Sequence, residues 1–178
     1  FSRETEYVCL SKQGEYAIYD GDIVSSQGIH IPVERFEENF NELQKQQEVI
    51  KRVEHGGKSY MVGAIARINI NRGKLQENAF HYLSSLKLKF PNYNPFNNIF
   101  AQMTELIHAV EQTERILREM IQLDLEKAIT KEYKIKAGTG VAAVEAPRGT
   151  LYYHVEVDAG GYVKNVNIIT PTAQFLSN

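Results

Sequence analysis

Two β-forming runs, Thr150-Leu-Tyr-Tyr-His-Val-Glu-Val157 and Tyr162-Val-Lys-Asn-Val-Asn-Ile-Ile169, flank Asp158-Ala-Gly160-Gly161, and no other stretch limits the fold so strongly. β-Branched and aromatic residues on either side of a glycine-bearing turn dictate an antiparallel hairpin. Residues 133–146 alternate as a further strand with glycines in its middle. Between that strand and the hairpin stand Pro147, Arg148 and Gly149. Pro147 has a locked φ and no N–H, and Gly149 lets the chain turn or approach another group closely. An arginine fenced in this way suits a guanidinium held over something anionic or electron-rich. On local pattern alone, a solvated surface turn is the leading reading.

The earlier chain reads as strands followed by helices. Tyr7-Val-Cys-Leu10 and Tyr16-Ala-Ile-Tyr19, separated by Gln13-Gly14, predict a hairpin. Asp20-Gly21-Asp22 is a turn signal before Ile23-Val24, the loop 25–28 and a short strand at 29–31. Pro32 opens a glutamate- and glutamine-rich segment, 33–54, whose spacing predicts an exposed helix ended by His55-Gly56-Gly57. The apolar run 60–67 predicts a buried strand or extended segment, and 72–89 another helix. Pro91 and Pro95 bracket a loop. From 97 to 130 apolar residues recur at three- and four-residue steps, the mark of a helix with one buried face. At about 1.5 Å per residue that helix would run about 50 Å, as in a larger bundle, and would leave apolar surface that self-association could cover. The expected class is α+β: an N-terminal β-meander, a helical middle with one long helix, and a C-terminal antiparallel hairpin.

With 178 residues, 43% hydrophobic and 24% charged, the chain can bury a core as one domain. A net charge of −2 without a basic block argues against nucleic-acid binding. No apolar run is long enough to span a membrane, and the first residues are not a signal peptide. The single cysteine, Cys9, excludes an internal disulfide framework and an all-cysteine metal site built from this chain alone, and fits a reducing, cytoplasmic setting. The start at Phe1 and the finish at Asn178 read as cut ends, so residues 1–178 are expected to be a single piece of a longer protein.

Few residue sets suggest chemistry. Gly138-Thr-Gly140 lacks the third glycine and the following helix of a dinucleotide loop. His30, His55, His81, His108 and His154 show no metal-ligand spacing. Cys9, in a strand with no flanking cation, has nothing to activate its thiol. Glu111 and Glu114 suit a solvated helix face, while Glu105 borders the apolar stripe. His154, six residues after Arg148, could support the arginine's surroundings or be structural.

Taken together, Gly138-x-Gly140, Glu145-Ala-Pro147-Arg148-Gly149, His154, the hairpin and Pro171-Thr172-Ala-Gln174 resemble the C-terminal half of nickel–iron hydrogenase large, or catalytic, subunits. Tyr60-x-Val62-Gly63-Ala64-Ile65-Ala66-Arg67-Ile-Asn69 resembles that family's Tyr-x-Val-Gly-Pro-Leu-Ala-Arg-x-Asn segment. Tyr19-Asp20-Gly21-Asp22 with Ser25-Ser26-x-Gly28 is similar to the soluble, cytoplasmic members. The chain departs from the pattern at Ala64, in place of proline, at Gln102, in place of arginine, and at Phe175, in place of asparagine.

The resemblance implies a parent that reversibly oxidises dihydrogen at a nickel–iron centre with cyanide and carbonyl ligands, and passes electrons to an iron–sulfur small subunit. The family's two Cys-x-x-Cys pairs are not among these residues, so no cofactor and no metal ligand is expected in this stretch, and the chain alone is expected to be inactive. Arg148 matches the arginine suspended over the metals, with Pro147 beside it. Thr172 matches a hydroxyl residue bonded to an iron cyanide, and Glu145 and His154 flank the site. The backbone carbonyl of Ile168 falls where some members bind magnesium. Two other readings stay open: a hydrogenase-like structural subunit of a respiratory-type complex that binds no nickel, and a non-catalytic anion-binding α+β module.

Overall fold

The computed structural model describes residues 2–44, 46–123 and 133–178. The strand β1 (Glu6–Ser11) is the hub, with Tyr7 to Leu10 all buried. A strand covered on both faces reads as a continuous apolar run, which is why Tyr7-Val-Cys-Leu10 shows no polar alternation. Val8 and Leu10 enter one core with Ile23, Phe36, Phe40, Val53, Tyr60, Tyr152 and Ile169. Tyr7 enters a second with Tyr16, Ile65, Ile68, Leu83 and Ala101.

Beside β1 runs β2 (Asp22–Ser25), antiparallel, with Val8 opposite Ser25 and Ser11 opposite Asp22. β3 (His30–Ile31) pairs with β2. The expected hairpin partner at 16–19 is not a strand. Its backbone serves a different sheet, since the carbonyl of Ile18 accepts the N–H of Glu145 at 2.7 Å. The segment 33–54 is also not the long helix its composition predicts. Among its described residues only α1 (Phe36–Asn39) is α-helical, and β4 (Phe40–Leu43) and β5 (Arg52–His55) form a hairpin in register Phe40–His55. Burial overrides propensity here: Phe36 stacks on Tyr152 at 5.0 Å, Phe40 sits 5.2 Å from Tyr60, and Val53 is fully buried.

β6 (Tyr60–Met61) joins β1 in parallel, making the N-terminal sheet mixed, in the order β3-β2-β1-β6. The expected strand through 60–67 stops there, and α2 (Ala64–Asn71) begins after Gly63, whose φ of +95° turns the chain. α3 (Glu77–Ser85) and α4 (Asn98–Ile121) follow, the latter 24 residues or about 36 Å long. The expected extension of α4 through 124–130 lies outside the described residues. Ala101, Thr104 and His108 are the buried side chains of α4, while Ile99, Met103, Leu106, Val110, Leu117 and Ile121 form an exposed apolar stripe.

The C-terminal sheet is antiparallel, in the order β7-β8-β9: β7 (Gly138–Ala146), β8 (Gly149–Val157) and β9 (Val163–Ile169). It carries the expected hairpin, with a register shift at Glu156/Val157. A short helix, α5 (Pro171–Phe175), closes the chain. Pro171 stands at its first turn and the Thr170 hydroxyl accepts the N–H of Ala173. The class is α+β, with N-terminal strands, one long helix and a C-terminal antiparallel sheet.

Candidate functional site

Ala146 pairs with Gly149, so Pro147 and Arg148 are the whole turn between β7 and β8. This turn is pressed against the start of α2. A Cβ on Gly63 would lie 2.9 Å from the carbonyl oxygen of Arg148, and one on Gly149 (φ +136°) would lie 2.4 Å from Val62 Cγ2. Both glycines are required by that approach. Pro147 and Arg148 are exposed.

Behind the turn lies a buried ionic clamp built on Arg67. Its Nε and one terminal nitrogen donate to Glu105 Oε1 and Oε2 at 2.6 and 2.7 Å. The other terminal nitrogen donates to Glu145 Oε2 at 2.7 Å and to the Ala146 carbonyl at 2.9 Å. The Pro147 carbonyl accepts the remaining N–H at 3.1 Å. Every donor of the guanidinium fork is thus engaged. Burial works against the charge of Arg67, but Glu105 and Glu145 more than offset it and raise its pKa further. Glu145 is fully buried and also accepts the Leu10 N–H at 2.7 Å and the Thr150 hydroxyl at 2.8 Å. Burial pushes its carboxyl up, opposed by Arg67 and these two donors.

The clamp continues toward α5. Gln174, fully buried, donates to the carbonyls of Thr150 at 2.6 Å and Thr170 at 3.1 Å. Gln174, Thr150, Glu145, Arg67 and Glu105 therefore form one chain of contacts that ties the Arg148 turn to the helix carrying exposed Thr172. His154 stands apart: its Nδ1 is 2.7 Å from Glu37 Oε2, linking β8 to α1. Ile168 lies on β9 opposite Tyr153. The residues missed in the sequence as site-builders are Arg67, Thr150 and Gln174. Arg67 carried a signal, as a lone cation closing an apolar run.

On its other side the clamp floors a groove of about 740 Å³ walled by Tyr16, Leu106, Ile116 and Pro147. The Tyr16 hydroxyl donates to Glu105 Oε1 at 2.7 Å, and its ring lies 4.8 Å from that of His108. His108 Nδ1 accepts the Gln76 N–H at 3.1 Å, which requires the neutral ring. Burial pushes the His108 pKa down, against Glu105 and Glu111. The unfolded state thus binds a proton more readily than the folded one, and stability falls as pH drops below about 6.5. His108→Gln is expected to flatten this part of the profile, checked by thermal unfolding between about pH 5 and 7.

Among the described residues, no three His, Cys, Asp or Glu side chains lie together as a metal site. Cys9 is wholly buried beside the Asn71 amide, and burial pushes its thiol well above the ordinary range. The residues present do not fit a nickel–iron centre as its ligands.

No family model matches the chain. It is 34% identical to sulfhydrogenase 1 subunit alpha of Pyrococcus furiosus over 94% of its own length. It is 32% identical to sulfhydrogenase 2 subunit alpha of the same organism over 66% of its length. The chain spans 39% of the first relative and 28% of the second. In structure it is similar to a chain of an NAD⁺-reducing [NiFe]-hydrogenase in the H₂-reduced state, with a TM-score of 0.82 and 25% identity, covering 98% of this chain and 41% of the other. Agreement of sequence over nearly the whole chain with agreement of fold places this protein in the family of nickel–iron hydrogenase alpha, or large, subunits.

Proposed function

We propose that this chain is the part of a hydrogenase large subunit that presents Arg148 and Thr172 to a nickel–iron centre held by cysteines outside these residues. The whole subunit would oxidise dihydrogen reversibly and pass electrons to an iron–sulfur small subunit, in the cytoplasm. The centre, with its cyanide and carbonyl ligands, would supply the redox chemistry. One observation carries this reading: a fully engaged, buried arginine clamp holds the backbone of a turn whose own arginine side chain is exposed. Stability alone does not need an exposed arginine at the tip of such a braced turn.

The roles of the chain's own residues follow from their chemistry. Arg148 offers several hydrogen-bond donors in a fixed plane. Thr172 offers a hydroxyl donor from the first turn of α5, and Pro147 an apolar wall that leaves no N–H to compete. Glu145 acts behind the turn, through Arg67 and Thr150, and His154 braces β8 through Glu37.

In the intact protein, Arg148→Lys is expected to lower dihydrogen turnover at least about tenfold, since a point charge replaces a planar fork. Nickel content should stay unchanged because Arg148 is not a ligand; loss of nickel would refute its assigned place. A gene whose complete reading frame holds no Cys-x-x-Cys pair would favour the subunit that binds no nickel.

A further inference from the structure

We infer that Arg67 is the positioning residue for Arg148. It sets the geometry of the turn rather than merely stabilising the core. The inference deepens the hydrogenase reading and rests on it for its catalytic consequence alone.

The turn contains a conflict. Two-residue hairpin loops favour types I′ and II′, whose twist matches the flanking strands, and both require φ > 0 at the first central residue. Pro147 holds that position, and its ring locks φ near −65°. The twist-matched turns are therefore closed to this hairpin, and the alternatives splay the strands. Something outside the hairpin has to hold the turn. Arg67 supplies it by donating to two successive turn carbonyls, Ala146 at 2.9 Å and Pro147 at 3.1 Å.

The guanidinium is itself immobile. Glu105 on α4 grips it bidentately, Glu145 on β7 grips it from the other side, and its own residue is 2% exposed. Gly63 also sits against the Arg148 carbonyl and Val62 against Gly149. The backbone of residues 146–149 is thus held by the Val62–Gly63 segment and by the clamp, while the Arg148 side chain is exposed. A lysine at 67 could reach one carboxylate, but a single ammonium cannot span two carboxylates and two carbonyls in one plane.

Hydrogen exchange measured by mass spectrometry on segment 145–150 of the intact protein tests the inference, alongside dihydrogen turnover, its KM, nickel content and melting temperature. Arg67→Lys is expected to speed exchange in that segment at least tenfold. Turnover should fall at least tenfold, with KM for dihydrogen within twofold and nickel retained. Glu105→Gln, which keeps the shape and loosens the grip on Arg67, should give the same pattern at two- to fivefold. Thr104→Val, altering a fully buried α4 residue whose hydroxyl donates to the Phe100 carbonyl, is the control and should leave segment 145–150 unchanged. Wild-type exchange in both Arg67→Lys and Glu105→Gln would overturn the inference. So would equal acceleration in Thr104→Val, which would reduce Arg67 to a general stabiliser. A wild-type protein without dihydrogen turnover would sink the hydrogenase reading, and segment exchange would still decide the role of Arg67.

Discussion

Glu145→Ala is expected to destabilise the fold by about 3–5 kcal/mol, the usual range for removing one partner of a buried ion pair. For a chain of this size that lowers the melting temperature by roughly 6–20 °C. Three donors lose their acceptor together: the Arg67 guanidinium, the Leu10 N–H and the Thr150 hydroxyl. The loss of the Leu10 partner weighs most on the fold, because Leu10 is fully buried and no water can replace the carboxylate. Glu105→Ala should cost less, since the Glu105 side chain keeps 18% of its surface exposed whereas that of Glu145 keeps none, so water can partly take its place. Urea unfolding of both variants checks the order. A cost below about 1 kcal/mol for Glu145→Ala would mean the clamp is not closed in solution.

Gly149→Ala is the second large effect, expected at about 2–6 kcal/mol. A φ of +136° strains an L side chain by about 1–3 kcal/mol. Steric conflict adds about 1–3 kcal/mol, because the new methyl would stand 2.4 Å from Val62 Cγ2 and 2.7 Å from Val62 Cβ. The Cβ contact cannot be relieved by a rotamer change, so the backbone of the turn or of Gly63 has to move. Val62→Ala in the same chain removes the Cγ2 clash and should recover part of the loss, giving a coupling of about 1 kcal/mol or more in a double-mutant cycle. Gly140→Ala is the contrast, since a Cβ there meets nothing within 4 Å. Simple additivity of Gly149→Ala and Val62→Ala would show that the two segments do not touch.

The fold was legible where local chemistry and burial agree. β8 and β9 alternate, close on a glycine turn and are direct neighbours in the sheet, so local pairing decides the outcome. α4 is periodic over many turns, so its helix follows whatever packs against it. The reading failed at 16–19, 33–54 and 60–67. Tyr16 and Ile18 alternate like a strand but are held by α4 and β7 instead. The glutamate-rich stretch yields to two buried phenylalanines that seat a hairpin on Tyr152. The run 60–67 is apolar because both a strand and a helix start are buried, and a buried helix has no polar face to betray its period.

By itself the sequence determined the C-terminal hairpin, the long amphipathic helix, the Pro-Arg-Gly turn and a resemblance strong enough to point to a hydrogenase large subunit. Each of these is local, set by φ restrictions, alternation or residue order. Only the tertiary structure decided what holds the turn. Arg67 lies 38 residues from Glu105 and 78 from Glu145, and no periodicity links such distant positions. Their union exists because charges excluded from water must meet one another, and the fold alone determines which of them are so excluded.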